Sequence, residues 1–201
     1  MSGAWEQELK FRLRGESDWA RLQEVLGPPA QRLEQVNTYL DTPDRAVAGG
    51  RGMVRLRSEN GERVLTFKRG VRVEGGYFEA REVEVPLGEA EWERARAGDL
   101  EALEALEPLR ALRDSGVRGP LAPSGEVRNL RQRFPLPSGE VLELDRTLFP
   151  NGREDFEIEV ETRRPEEIRR EVQALAERAG IELEVQRRTK YERFLEALTS
   201  P

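Results

Sequence analysis

Glu6-Gln7-Glu8-Leu9-Lys10 is the stretch on which the reading of this fold turns. In an extended strand the side chains at i, i+2 and i+4 share a face, so two carboxylates and an ammonium project to one side. That row spans about 13 Å at roughly 3.3 Å per residue, enough to engage an extended polyphosphate at several points. Immediately outward, Ala4, Glu6, Glu8, Lys10 and Arg12 alternate with Trp5, Gln7, Leu9, Phe11 and Leu13. The alternation predicts a strand over 4–13 with one charged and one apolar side.

The same pattern recurs along the chain. Ser17 is the expected cap of a first helix over 18–26, which Gly27-Pro28-Pro29 ends. Strands are predicted at 34–41, 53–57, 64–68, 77–86, 126–135, 140–148 and 154–162, with Asn60-Gly61 as a hairpin turn. Gly49-Gly50-Arg51-Gly52 reads as a loop. Between 87 and 125 the periodicity becomes helical in two pieces, with Asp99 as a cap and Pro108 kinking or ending the second, and 116–125 reads as a loop. Pro165 opens a helix that runs to Gly180, an extended piece covers 183–190, and a last helix covers 191–198.

Composition narrows the chemistry. At 201 residues the chain is expected to form a single domain over 1–201 that buries a core without staples. It is 36% charged and 37% hydrophobic, with a mean hydropathy of −0.71, as suits a soluble globular protein. The net charge of −6 offers no general attraction to nucleic acid or to an anionic membrane, so an anion site must rest on a local cluster. Cysteine and histidine are both absent, which removes disulfides, thiolate chemistry, imidazole catalysis and His-ligated zinc. Carboxylates, lysine, tyrosine and oxygen-ligated metals remain. No apolar run is long enough for a membrane span and the amino terminus has no signal-peptide pattern, so a cytoplasmic location is expected.

The charged faces carry same-sign pairs: Glu6/Glu8, Arg55/Arg57, Glu82/Glu84, Arg131/Arg133 and Glu157/Glu159. A solvated face usually mixes signs, and like charges at i and i+2 repel, so the segregation points to a ligand that rewards it. About eight strands, joined by hairpins or helical excursions, predict an antiparallel α+β protein or barrel. If the sheet closes with its charged faces inward, it forms a tunnel in which guanidinium forks hold phosphate oxygens and carboxylates hold a hard cation.

Glu6-Gln7-Glu8-Leu9-Lys10 resembles the ExExK signature of the CYTH family, the triphosphate tunnel metalloenzymes. The later motifs follow in the family's order: Asn37-Thr38-Tyr39-Leu40-Asp41-Thr42-Pro43-Asp44, Arg55-Leu56-Arg57, Leu65-Thr66-Phe67-Lys68, Arg81-Glu82-Val83-Glu84, Arg131-Gln132-Arg133, Leu144-Asp145-Arg146, Glu157-Ile158-Glu159 and Lys190-Tyr191. The resemblance covers essentially the whole chain. It implies an eight-stranded antiparallel β-barrel with a charged interior and helices outside, a triphosphate substrate, and two divalent ions, Mg²⁺ or Mn²⁺.

Carried over residue by residue, the resemblance implies metal ligands at Glu6, Glu8, Glu157 and Glu159, with Asp145 and Glu84 as further candidates. It implies phosphate contacts at Lys10, Arg55, Arg57, Lys68, Arg131, Arg133 and Lys190. Glu6, Glu8, Lys10 and Glu159 form the expected catalytic set. Glu82, Glu143 and Glu161 fit either the site or a structural pairing with a neighbouring arginine, and Tyr39 fits either a site position or the core. The expected reaction is metal-assisted hydrolysis of a terminal phosphoanhydride, with water attacking in line. The segment Gly70–Gly76 has no aromatic residue to stack on a base, which favours inorganic tripolyphosphate. Adenylate cyclase, thiamine triphosphatase and a non-catalytic polyphosphate or nucleotide binder are the alternatives, and monomer and homodimer are both open.

Overall fold

The computed structural model describes residues 4–199. Its elements in chain order are β1 (Ala4–Leu13), α1 (Glu16–Leu26), β2 (Gln31–Asp41), α2 (Ala46–Gly49), β3 (Gly52–Glu59), β4 (Glu62–Glu74), β5 (Tyr77–Pro86), α3 (Glu89–Arg96), α4 (Glu107–Asp114), β6 (Ala122–Pro135), β7 (Val141–Leu148), β8 (Glu154–Glu161), α5 (Pro165–Ala179), β9 (Glu184–Val185) and α6 (Lys190–Thr199), with a single 3₁₀ turn at Glu101–Leu103. The strands are hydrogen-bonded in the order β5-β4-β3-β2-β6-β7-β8-β1-β9, and β5 also pairs with β1. Eight strands thereby close into the expected antiparallel β-barrel, with six α-helices outside it. The two-residue β9 sits beside Phe11 and Arg12 of β1.

Contacts divide the chain into two units. One is built mainly from Gln35–Val71 and Ala80–Val127, the other from Glu6–Glu34, Arg72–Glu79 and Arg128 onward. In the first unit the apolar faces of β3 and β4 (Val54, Leu56, Leu65, Phe67) are buried with Trp92 and Ala95 of α3, Leu109 and Leu112 of α4, and Leu100 and Leu103. In the second, Leu9, Phe11 and Leu13 of β1 share a core with Leu142, Leu144, Ile158 and Val160. Over that core α1 packs on α5, through Leu22 on one side and Ile168, Val172 and Ala176 on the other. The i, i+4, i+8 spacing of the α5 residues is that of a helix with one apolar stripe.

Several local expectations need correction. Ser17 lies inside α1, whose first residue is Glu16, and the N-cap position belongs to Gly15, which has no side chain to accept from the first-turn N–H groups. Strand β2 starts three residues before the predicted 34, and β6 starts at Ala122, inside the predicted loop. The 49–52 loop is preceded by the short α2, held by Asp41, which accepts hydrogen bonds from the Val47 N–H at 2.9 Å and the Ala48 N–H at 3.2 Å. Pro108 does not end a helix: it sits in the first turn of α4, where its missing N–H costs nothing. Asp99 caps no helix; Leu100 is the N-cap of the 3₁₀ turn.

Other signals hold. Asn60 (φ 47°) and Gly61 (φ 92°) form the hairpin turn between β3 and β4, as a two-residue loop with positive φ requires. Gly180 closes α5 in the left-handed region at φ 64°. Gly76, at φ 83°, allows a close approach: an added Cβ would stand 2.9 Å from the Lys10 carbonyl oxygen and 2.8 Å from Val185. The Lys10 N–H donates to the Gly76 carbonyl at 2.8 Å and the Gln186 N–H donates to the Lys10 carbonyl at 3.2 Å, so both backbone polar groups of Lys10 are fixed.

Candidate metal centre and phosphate-binding strands

In the second unit, strand register places charges in two rows. Across β1, β8, β7 and β6, Lys10 faces Glu159, Glu159 faces Glu143, and Glu143 faces Arg133. In the adjacent row Arg12 faces Glu157, Glu157 faces Asp145, and Asp145 faces Arg131. Each row sets two carboxylates side by side, an arrangement that repels unless cations intervene.

The cations do intervene. Lys10 Nζ lies 2.9 Å from Glu159 Oε1 and 2.9 Å from Glu8 Oε1, and sits 5.3 Å from the Phe78 ring centroid. Arg131 grips Asp145 with both arms, Nε to Oδ1 at 2.8 Å and Nη2 to Oδ2 at 2.7 Å, while Nη2 also reaches Glu159 Oε2 at 2.6 Å. Its Nη1 pairs with Glu143, which also accepts from Arg133 Nε at 2.8 Å. From α6, Lys190 Nζ lies 2.7 Å from Asp145 Oδ2, 3.1 Å from Glu157 Oε1 and 3.5 Å from Glu159 Oε1. Arg193 donates from Nη2 to Glu157 Oε2 at 2.6 Å and from Nη1 to Asp155 Oδ2 at 2.8 Å.

Asp145, Glu157 and Glu159 are all buried, and each offers an oxygen within 4.8 Å of the others. Burial by itself would raise the Asp145 pKa, but Arg131 and Lys190 outweigh it and hold the group at about 2. Burial likewise opposes ionisation of Glu159, and Lys10, Lys190 and Arg131 bring its pKa well below the ordinary value. For Lys10 the desolvation that disfavours its charge is exceeded by Glu159, Glu8, Glu157 and Glu6, so its ammonium is held above the usual range. Glu143 goes the other way: burial raises its pKa, Arg131 only partly offsets this, and Glu159 and Asp145 add repulsion.

This donor set suits a divalent cation. Three hard carboxylate oxygens converge, and Glu157 Oε1 is buried without a hydrogen-bond partner, with the Lys190 ammonium 3.1 Å away. Lys10, Arg131 and Lys190, expected at phosphate, are ion-paired with these carboxylates; Arg133 pairs with Glu143, and Glu8, expected at metal, pairs with Lys10. Glu6 lies on the same face of β1 and adds to the field on Lys10, but the mutually close triad consists of Asp145, Glu157 and Glu159.

The first unit carries a basic set. Arg55 and Arg57 on β3 face Thr66 and Val64 of β4 and Tyr39 and Asn37 of β2. Arg57 Nε donates to Asn37 Oδ1 at 2.9 Å, and Arg55 Nη2 donates to Thr66 Oγ1 at 3.4 Å. Glu82 is ion-paired here: Lys68 Nζ is 3.1 Å and Arg55 Nη2 is 3.6 Å from it. Arg55 Nε is buried with no acceptor. Local desolvation and then repulsion from Glu82 raise the Glu84 pKa against the pull of Arg55 and Arg57, and Glu84 is not one of the triad. Tyr39 is buried and stands opposite Arg55 in the β2–β3 register, while its neighbour Leu40 joins the apolar core of this unit.

Arg193, Asp155 and Gln186 were not singled out from sequence. Arg193 was recoverable, because it stands at i+3 from Lys190 and so shares its helix face, and because an arginine among Tyr191, Phe194 and Ala197 on a buried face needs an acidic partner. Asp155 and Gln186 carry no local signal. Among the described residues no helix is long and apolar enough to cross a membrane.

Comparison with known proteins agrees with this geometry. A protein from Hippeastrum, described as an adenylyl cyclase candidate with a dominant triphosphatase activity, is 26% identical, covers 95% of each chain and superposes with a TM-score of 0.88. A candidate adenylate cyclase from Bacillus halodurans is 25% identical over 96% of this chain and 99% of that chain, with a TM-score of 0.76. The PH1819 protein of Pyrococcus horikoshii, 18% identical over 94% of this chain and 98% of that one, shares the fold with a TM-score of 0.62. Among curated proteins no sequence matches. The CYTH domain is matched over residues 4–194, and the chain therefore belongs to the CYTH family.

Proposed function

We propose that the chain is a divalent-metal-dependent triphosphatase, acting as one domain over 1–201, that hydrolyses the terminal phosphoanhydride of inorganic tripolyphosphate. The observation that carries this reading is a pair of complementary deficits: the acidic set buries an acceptor, Glu157 Oε1, and the basic set buries a donor, Arg55 Nε, each without a hydrogen-bond partner. Arg55 Nε is an unmet buried donor, at a cost on the order of 1–3 kcal/mol that a bound phosphate oxygen would relieve, while Glu157 Oε1 has only the Lys190 ammonium at 3.1 Å, a place a bound cation would take. Asp145, Glu157 and Glu159 would hold Mg²⁺ or Mn²⁺, with Glu6 and Glu8 as the candidates for a second ion. When bound, the metal would offset phosphate charge and lower the pKa of the attacking water.

The side chains do the rest. Arg55, Arg57, Lys68, Arg133 and Lys190 hold non-bridging phosphate oxygens, and guanidinium forks suit them because each can take two oxygens at once. Lys10 and Arg131 keep Asp145 and Glu159 ionised and fix their orientation. Water adds to the terminal phosphorus, the bridging P–O bond breaks, and phosphate and diphosphate leave, with the proton passing to a carboxylate.

The Hippeastrum neighbour's triphosphatase activity supports this choice, and the lack of an aromatic residue across Gly70–Gly76 favours a substrate without a base. The cyclase description attached to the Bacillus neighbour supports a second reading, in which ATP is cyclised at its α-phosphate. Phosphate release and cyclic AMP formation, measured on tripolyphosphate, ATP and thiamine triphosphate with Mg²⁺ and with Mn²⁺, decide between them. Fastest phosphate release from tripolyphosphate is expected; cyclic AMP as the main product, or tight binding without turnover, would sink the proposal.

A further inference from the structure

We propose that Lys190 holds the cation position of the carboxylate triad until a divalent ion displaces it, and that the displaced ammonium then takes an oxygen of the triphosphate. This rests on the metal assignment made above. Its nitrogen touches Asp145, Glu157 and Glu159 at 2.7, 3.1 and 3.5 Å, and no other cation among the described residues contacts all three. Mg²⁺ holds oxygens at about 2.0–2.1 Å, so an ion on these same oxygens would stand no farther than about 5 Å from the ammonium and compete with it for their lone pairs. One of the two like charges has to leave.

The other cations are fastened. Lys10 has both backbone polar groups bonded, to Gly76 and Gln186. Arg131 is bidentate on Asp145. Arg193 is shared between Asp155 and Glu157 and lies 5.9 Å from the Phe149 ring centroid. Lys190 is the most exposed of the four, the side chains of Lys10, Arg131 and Arg193 keeping 8%, 9% and 3%. It is the first residue of α6, it reaches the triad on a flexible four-carbon stem, and its side chain keeps 15% exposure where Asp145 and Glu157 have none. Its departure exposes Glu157 Oε1, the acceptor that lacks a hydrogen bond, and so the exchange couples metal entry to phosphate capture.

The test uses the full chain. Mn²⁺ binding is titrated by electron paramagnetic resonance on the unaltered protein and on Lys190→Met, and KM for tripolyphosphate is measured on both. With its competitor gone, Mn²⁺ should bind roughly tenfold or more tightly in the variant, about 1.4 kcal/mol, while KM for tripolyphosphate rises by a similar factor. A residue that only props up the fold would not move the two ligands in opposite directions. Should the variant not fold, the unaltered chain decides: it has three lysines, Lys10, Lys68 and Lys190, and an amine-reactive ester should label Lys190 faster with Mg²⁺ than without it. Mn²⁺ binding no tighter in Lys190→Met, or labelling of Lys190 indifferent to Mg²⁺, overturns the exchange; an unchanged KM overturns the phosphate capture. Failure of both chains to bind Mn²⁺ overturns the metal assignment itself, and the exchange with it.

Discussion

The two units solve opposite electrostatic problems. In the second, carboxylates are fully buried and need four cations, Lys10, Arg131, Lys190 and Arg193, to stay ionised. In the first, Arg55 and Lys68 pair with Glu82, Arg55 and Arg57 act on Glu84, and the neutral Asn37 and Thr66 accept from the two arginines. The buried carboxylates of the second unit are therefore ion-paired from within that unit.

The sharpest way to break this contrast is to remove a counter-ion from each side. Arg131→Met should cost about 3–5 kcal/mol in urea unfolding, because it strands buried carboxylates. Arg57→Ala, which loses a hydrogen bond to neutral Asn37, should cost about 1 kcal/mol. Equal costs would refute the asymmetry.

Next in size is catalysis. Glu159→Gln with Mn²⁺ should lower turnover by at least about a hundredfold, since several kcal/mol of transition-state stabilisation go with the metal, while phosphate binding stays measurable. Full retained activity would remove Glu159 from the metal centre. Arg55→Ala should raise KM for tripolyphosphate by roughly tenfold, the loss of one charge-assisted hydrogen bond, and leave Mn²⁺ affinity unchanged. A shift in Mn²⁺ affinity would show that the two sets are not separable.

The smallest effect is on acid stability. Asp145 has its pKa lowered from 3.8 to about 2, so its contribution is fully present above 3.8 and is lost as pH falls towards 2. Glu159, also lowered, acts in the same sense. The metal-free chain should lose thermal stability over that window, and Asp145→Asn should flatten the loss. An unchanged slope in the variant would deny Asp145 its part.

Much of this architecture is legible in local sequence. Period-two alternation identified a charged face on nearly every barrel strand, and Asn60-Gly61 fixed a hairpin, because strand geometry and positive φ are set by a few neighbouring residues. Helix starts were read less well: Ser17 looks like a cap, yet the chain enters α1 at Gly15, and Pro108 opens α4. The same residue types serve at a cap, inside the first turn or in a loop, and packing on the sheet chooses among them.

By itself the sequence determined the chemistry available, with no histidine or cysteine and with paired carboxylates and paired arginines on single strand faces. Only the tertiary structure decided which charges meet. Glu6 and Glu8 open the signature, yet the close triad is Asp145, Glu157 and Glu159, because the registers of β7 on β8 and of β8 on β1 bring those oxygens together. Lys10 and Glu159 are 149 positions apart, and no local propensity encodes that pairing. The physical reason lies in the ladder: alternation says which face a side chain occupies, while backbone hydrogen bonds between distant strands set what stands opposite. That is how Glu6-Gln7-Glu8-Leu9-Lys10 comes to supply an ammonium to carboxylates near the other end of the chain.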